Sequence, residues 1–176
     1  TAREGLDSLR EEPVDAVVLD IGLPDRNGLE VLKRIHREWP DLPVLILSMY
    51  DEDQYGIRVM RAGASGYLTK ASAPENLVSA IRRILDGGRY VSPYLAEKLA
   101  AHVSGEVEEE PHHALSDREY QVFRMIASGR TVSEIATDLC LSVKTISTHR
   151  ARILEKTGFK NNAEITHYAM EKRLVE

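Results

Sequence analysis

Cysteine is almost absent from this sequence. Cys140 is the one thiol in 176 residues, which excludes an intrachain disulfide and any metal site built on several cysteines. Aromatic residues are scarce as well, at 6% of the chain with a single tryptophan, Trp39. No apolar run approaches the roughly 20 residues of a membrane helix, or the roughly 7–15 of a signal-peptide core near the start. The longest runs are short, such as residues 14–19 (interrupted by Asp15) and 44–47. A soluble, cytoplasmic protein with no membrane partner is therefore expected. What is present is ordinary for a globular chain: 43% hydrophobic and 29% charged residues. The length suits one large or two small domains.

The net charge of −5 argues against a nucleic-acid binder until its distribution is considered. Residues 1–103 carry 13 basic and 16 acidic side chains, and residues 104–114 carry four glutamates and no lysine or arginine. Residues 115–176 carry 10 basic and 8 acidic side chains. Within 142–160, Lys144, Arg150, Arg152, Lys156 and Lys160 face Glu155 alone. Positive charge is thus gathered in one short segment near the end.

The stretch SGEVEEEPHHA at 104–114 is acidic, punctuated by Gly and Pro, and nearly free of large apolar residues. It reads as an interdomain linker, so the expected division is 1–93, a linker over 94–114 that is partly helical near its start, and 115–176. His112 and His113 are adjacent, so a helix would point them apart, and they are expected to be solvated linker residues.

Before the linker, β-type apolar runs at 14–19, 42–47 and 66–69 alternate with helical patterns. Leu29, Leu32, Ile35 and Trp39 share one helical face; Ile57, Met60 and Ala64 share the next; Leu77, Ile81, Ile84 and Leu85 share a third. This order predicts a parallel α/β sheet with helices on its faces. Ser72-x-x-Glu75 reads as a capping box, and Asp51 as a helix cap. After the linker only helical patterns occur, at about 117–128, 132–139, 143–157 and 162–171. Capping boxes at Ser116-x-x-Glu119 and Thr131-x-x-Glu134 and an N-cap at Ser142 mark their starts, and Gly129 and Gly158 mark ends.

In parallel α/β sheets chemistry collects at the carboxyl ends of strands. Asp20, Ser48 and Lys70 follow or end the three apolar runs. A carboxylate, a hydroxyl and an ammonium at one rim suit a phosphoryl group, with the carboxylate as nucleophile. In the second half, the helices at 132–139 and 143–157 are joined by Cys140-Leu141-Ser142, a turn of helix-turn-helix length. One face of the second helix presents Lys144, Ser147, Thr148, Ala151 and Arg152. It is small, polar and basic, as a helix entering a major groove must be. Arg150 falls between Ile146 and Leu154, so it must reach out past apolar neighbours to an acid of the preceding helix or to a phosphate. Cys140 reads as a small buried hydrophobe. His149 is assigned to packing or hydrogen bonding.

The segments VVLDIGLPDRNGLEVL, LILSMYDED and AGASGYLTKASAPENL resemble the receiver domain of bacterial two-component response regulators of the NarL/FixJ family. LSDREYQVFRMIASGRTVSEIATDLCLSVKTISTHRARILEKTGF resembles the LuxR-type four-helix DNA-binding domain that accompanies such receivers. The resemblance implies a flavodoxin-like receiver followed by an all-α helix-turn-helix domain. It implies Asp20 as phosphoacceptor, Ser48 and Tyr67 as switch residues, Lys70 as the phosphate contact, and Asp20 with the Gly22 carbonyl on Mg²⁺. It implies base contacts from Ser147, Thr148 and Ala151 and phosphate contacts from Lys144, Thr145 and Arg152. The partners implied are a sensor histidine kinase, promoter DNA and a second copy of the chain, and no catalytic residue of an enzyme is implied. An aspartyl phosphatase, the enzymatic rival, needs a general acid two residues after its nucleophile, where this chain has Gly22.

One departure bears on the chemistry. Family receivers begin with a strand ending in a pair of Mg²⁺-binding acids, then a helix and a second strand. This sequence begins with TAREGLDSL, inside the next helix. The expectation is an incomplete receiver that binds Mg²⁺ and accepts phosphate poorly, with its first strand an unpaired edge. A regulator that binds DNA without phosphate control is the alternative.

Overall fold

The computed structural model describes residues 1–23, 26–104 and 110–175. Contacts divide the chain into two compact units, Thr1–Val107 and Glu108–Glu176.

The first unit runs α1 (Ala2–Glu11), β1 (Val17–Leu19), α2 (Gly28–Glu38), β2 (Val44–Ser48), α3 (Glu52–Arg61), β3 (Gly66–Thr69), α4 (Ala73–Leu85) and α5 (Pro93–Val103). The three strands pair in parallel in the order β1-β2-β3. Strand β2 is central: Val44, Leu45 and Ile46 are at most 1% exposed, because helices cover both faces of a parallel sheet. Leu45 and Leu68 pack with Ala80 and Ile84 of α4. Strand β1 pairs with β2 alone among the described residues, and Val18 is 44% exposed at that edge.

Two strands start later than the apolar runs suggest. Pro43 has no N–H for a ladder, so β2 begins at Val44, and the Val17 N–H donates to the Pro43 carbonyl as β1 begins. Val14 is left exposed. Leu85, placed by periodicity on the buried face of α4, is also exposed; Ala80 and Ile84 fill that face instead.

The second unit comprises a 3₁₀ turn (Pro111–Ala114), α6 (Asp117–Ala127), α7 (Val132–Asp138), α8 (Val143–Thr157) and α9 (Asn162–Glu171). Capping boxes start α6 and α7, with Ser116 and Glu119 and with Thr131 and Glu134 bonding reciprocally. Ser142 caps α8 and Asn161 caps α9. Gly158 ends α8 in the left-handed conformation, which a residue without Cβ adopts freely. The core centres on Tyr120, Phe123, Ile135, Ile146, Ile153 and Ile165, each at most 1% exposed.

Three local expectations are corrected here. Ser72 and Asp51 stand at helix N-caps but neither side chain bonds its helix. The Ser72 hydroxyl instead contacts Thr69 Oγ1 at 2.8 Å and the Thr69 carbonyl at 3.1 Å. Cys140 is exposed rather than buried, at φ 52° in the turn between α7 and α8. His112 is buried, with Nδ1 2.8 Å from the Tyr168 hydroxyl of α9, and is not a solvated linker side chain.

No helix among the described residues is long and apolar enough to cross a membrane.

Candidate functional site

Asp20 follows β1 directly, and the loop after it is fixed by the backbone. The Gly28 N–H donates to the Ile21 carbonyl at 3.1 Å. Buried Asn27 caps α2 by accepting from the Leu29 N–H at 2.9 Å. Gly28 is required at that place: a Cβ there would lie 2.4 Å from the Asp20 carbonyl oxygen and 2.5 Å from Ile21 Cα. The start of α2 is thereby pressed against the end of β1. The Asp20 carboxylate is held at both oxygens. Oδ1 accepts from the Gly22 N–H at 2.9 Å, and Oδ2 pairs with Lys70 Nζ at 2.5 Å. Lys70 reaches this place because its own N–H donates to the Ser48 carbonyl at 2.7 Å, continuing the β2–β3 ladder by one residue.

Ser48 ends β2 and is fully buried, and its Oγ accepts from the Tyr50 N–H at 3.1 Å. Tyr67 is also fully buried, and its hydroxyl donates to the Tyr50 carbonyl at 2.6 Å. Asp20, Gly22 and Lys70 are therefore in direct contact, while Ser48 and Tyr67 meet at Tyr50. Tyr50 carries no motif of its own, and only the structure shows that it joins the two. Its ring packs against Tyr55 of α3 at 5.1 Å. The first turn of α3 then holds α5: Ser92 donates to the Glu52 carboxylate, and Asp53 accepts from both Tyr94 and Lys98. Burial and the bond to Asp53 raise the Tyr94 phenol above its usual value. For Lys98, burial acts downward, but the bonds to Asp53 and Tyr94 outweigh it and raise the ammonium.

In the second unit α8 buries Ile146 and Ile153. Lys144, Ser147, Thr148, Ala151 and Arg152 are exposed, and Thr145 is half-buried. The Ser147 and Thr148 hydroxyls donate to the Val143 and Lys144 carbonyls at 2.9 and 3.0 Å. With those protons directed into the helix, their outward lone pairs can accept from base amino groups. Arg150 contacts neither an acid of α7 nor open solvent alone: its Nε donates to Asn162 Oδ1 of α9 at 2.6 Å. His149 is half-buried. Lys156 pairs at 2.6 Å with Glu119 of α6, which is 3% exposed.

The first 82 residues match the model of the response regulator receiver domain, and residues 113–169 match that of the bacterial regulatory proteins of the luxR family. The chain is 38% identical over 168 residues to the response regulator GacA of Pseudomonas aeruginosa, covering 95% of this chain and 78% of that protein. It is 38% identical over 162 residues to the response regulator UvrY of Escherichia coli, covering 92% of this chain and 74% of that one. The chain belongs to the NarL/FixJ family of response regulators. Among solved structures it is similar to RcsB from Salmonella enterica serovar Typhimurium bound to promoter P1flhDC in the presence of the phosphomimetic BeF₃⁻. That likeness has a TM-score of 0.61 at 25% identity and covers 95% of this chain and 80% of that one. This response regulator thus joins a flavodoxin-like parallel-sheet receiver to a LuxR-type helix-turn-helix unit. It is a DNA-binding regulator of a two-component system, a family of transcription factors and not typically of enzymes.

Proposed function

We propose that Asp20 accepts a phosphoryl group from a sensor histidine kinase and that α8 reads promoter DNA. The observation that carries the first part is the Asp20–Lys70 pair, at 2.5 Å where two parallel strands end. A carboxylate held this way is a nucleophile with the cation that stabilises the incoming phosphoryl oxygens already beside it. An Asp20 oxygen attacks phosphorus, the P–N bond of the kinase phosphohistidine breaks, and its electron pair goes to an imidazole that already carries a proton on the other ring nitrogen and leaves neutral. Lys70 then moves from the carboxylate to the phosphoryl oxygens. Ser48 turns its hydroxyl toward the same oxygens and gives up the Tyr50 N–H. Tyr67, tied to the Tyr50 carbonyl, follows.

Mg²⁺ is the ion that receivers use. Here the described residues offer it the Asp20 carboxylate and the Gly22 carbonyl. The single group of three or more close ligand side chains among them, Glu110, His112 and His113, does not include Asp20. One carboxylate and one carbonyl among the described residues fall short of the acidic set that this site takes in the family.

On DNA, Lys144, Thr145 and Arg152 contact phosphates, while Ser147, Thr148 and Ala151 meet base edges. Ser147 and Ala151 are short and uncharged, so readout leans on water and groove shape. Two copies reading two half-sites, in the cytoplasm, complete the reading. In it residues 1–93 form the receiver, 94–114 the linker and 115–176 the DNA-binding domain. Phosphoramidate labelling followed by phosphate-affinity electrophoresis tests the acceptor. Label that is slow in the parent chain and lost in Asp20→Asn supports it, and equal label in both overturns it. A gel shift that ignores the phosphoryl group would favour DNA binding without phosphate control.

A further inference from the structure

Glu110, His112 and His113 converge in the second unit, although neighbouring residues on a helix ordinarily diverge. Glu110 is the N-cap residue of the 3₁₀ turn Pro111–Ala114. One donor atom from each of the three side chains lies within 4.8 Å of the other two. The two imidazole centroids are 4.4 Å apart, with ring planes at 62°. His112 is buried, and Glu110 and His113 are half-buried.

The carboxylate is divided between two tasks. Glu110 Oε1 pairs with Lys172 Nζ at 2.7 Å, while Oε2 lies 3.4 Å from His112 Nδ1. That second distance is long for a charge-assisted hydrogen bond. It equals the separation of about 3.4 Å between two ligands on a tetrahedral ion with bonds of about 2.1 Å.

We propose that Glu110, His112 and His113 bind a divalent transition ion of the Zn²⁺ class, with water as the fourth ligand. Two imidazoles and one carboxylate select such an ion over Ca²⁺ or Mg²⁺, which prefer oxygen throughout. Side chains that orient the ligands are in place. Lys172 fixes the carboxylate through Oε1 and leaves Oε2 facing the ring. The Tyr168 hydroxyl, 2.8 Å from His112 Nδ1, also bonds Glu110. When the ion takes His112 Nδ1, the hydroxyl gives up that nitrogen and its bond to Glu110 holds the carboxylate. All three ligands come from the segment ahead of α6, which Tyr168 and Lys172 tie to the end of the chain. This site is independent of Asp20 and of phosphorylation.

Co²⁺ and then Zn²⁺ titrated into the full chain test the proposal. The expected result is a Co²⁺ visible spectrum of four-coordinate intensity, erased by Zn²⁺, and a rise in melting temperature with Zn²⁺. His113→Gln and Glu110→Gln each weaken binding by about tenfold or more, and the Zn²⁺-induced rise in melting temperature is lost in both. Failure of Co²⁺ to give that spectrum overturns the proposal. So does parent-like affinity in both variants, which would place the ion on other histidines.

Discussion

Lys70 Nζ lies 2.5 Å from Asp20 Oδ2, and fifty residues of sequence separate the two. The pair is about a third exposed on each side, so its contribution to folding is small, within about 1 kcal/mol. Lys70→Ala is therefore expected to leave thermal unfolding nearly unchanged while abolishing any response of DNA binding to a phosphoryl donor. Calorimetry and a gel shift on the same preparation check both halves. A large loss of melting temperature would mean that the pair is a structural strut.

Tyr67→Phe removes only the hydroxyl that donates to the Tyr50 carbonyl. The loss is expected to be about 1 kcal/mol, read from chemical denaturation. Hydrogen exchange should rise at 48–55 and at the first turn of α3, because the Ser48–Tyr50–Tyr67 connection is cut there. Unchanged exchange in that segment would argue that Tyr50 is held by other contacts.

Gly28→Ala places a methyl group against the Asp20 carbonyl and Ile21. Backbone cannot yield as a flexible side chain does, so destabilisation of about 1–3 kcal/mol is expected. Disturbance of the Asp20 loop should appear first, in amide chemical shifts of residues 20–22. Parent-like stability would show that α2 can slide on β1.

Glu119 supplies a pH dependence. Burial pushes its carboxyl up, but the bond from Lys156 and those from the Ser116 backbone and side chain outweigh it, and the net shift is below the usual value. A carboxyl lowered in the folded state adds stability above its unfolded value, and that stability is lost as pH falls through the folded one. The second unit is thus expected to weaken on acidification. Glu119→Gln is expected to flatten that dependence and to lower stability near neutrality by about 2 kcal/mol. Unfolding midpoints measured from neutral pH downward decide it; parallel curves for parent and variant would remove Glu119 as the cause.

Arg150 and Arg152 separate packing from phosphate contact. Arg150 bonds Asn162, so Arg150→Val should change stability and leave the salt dependence of DNA binding alone. Exposed Arg152, changed to Ala, should lower the slope of log affinity against log salt by about one. A reduced slope for Arg150→Val would place that guanidinium on the DNA instead.

How far the sequence revealed these features depended on the range of the interactions behind them. Apolar runs disclosed all three strands, since a buried parallel strand needs apolar side chains on both faces. The starts of β1 and β2 were hidden because Pro43 acts on β1 as well as on β2. Capping boxes were legible at Ser116 and Thr131, where the partner lies three residues away. The same spacing failed at Ser72, because Thr69 holds that hydroxyl first. Asp20, Ser48 and Lys70 could be read as strand ends. The bridging role of Tyr50 could not, since it rests on backbone atoms that carry no sequence signal. His112 and Arg150 were hidden for a related reason: their partners on α9, Tyr168 and Asn162, stand 56 and 12 residues further on, beyond the spacings that a cap or one helix face reveals.

The left-handed turn at Cys140 has a practical consequence. This sulfur is the only thiol in the sequence, it is exposed, and it stands at the corner before α8. A maleimide fluorophore or a nitroxide will attach at one defined place without engineering. Occupancy of an operator can then be followed optically on the unaltered polypeptide.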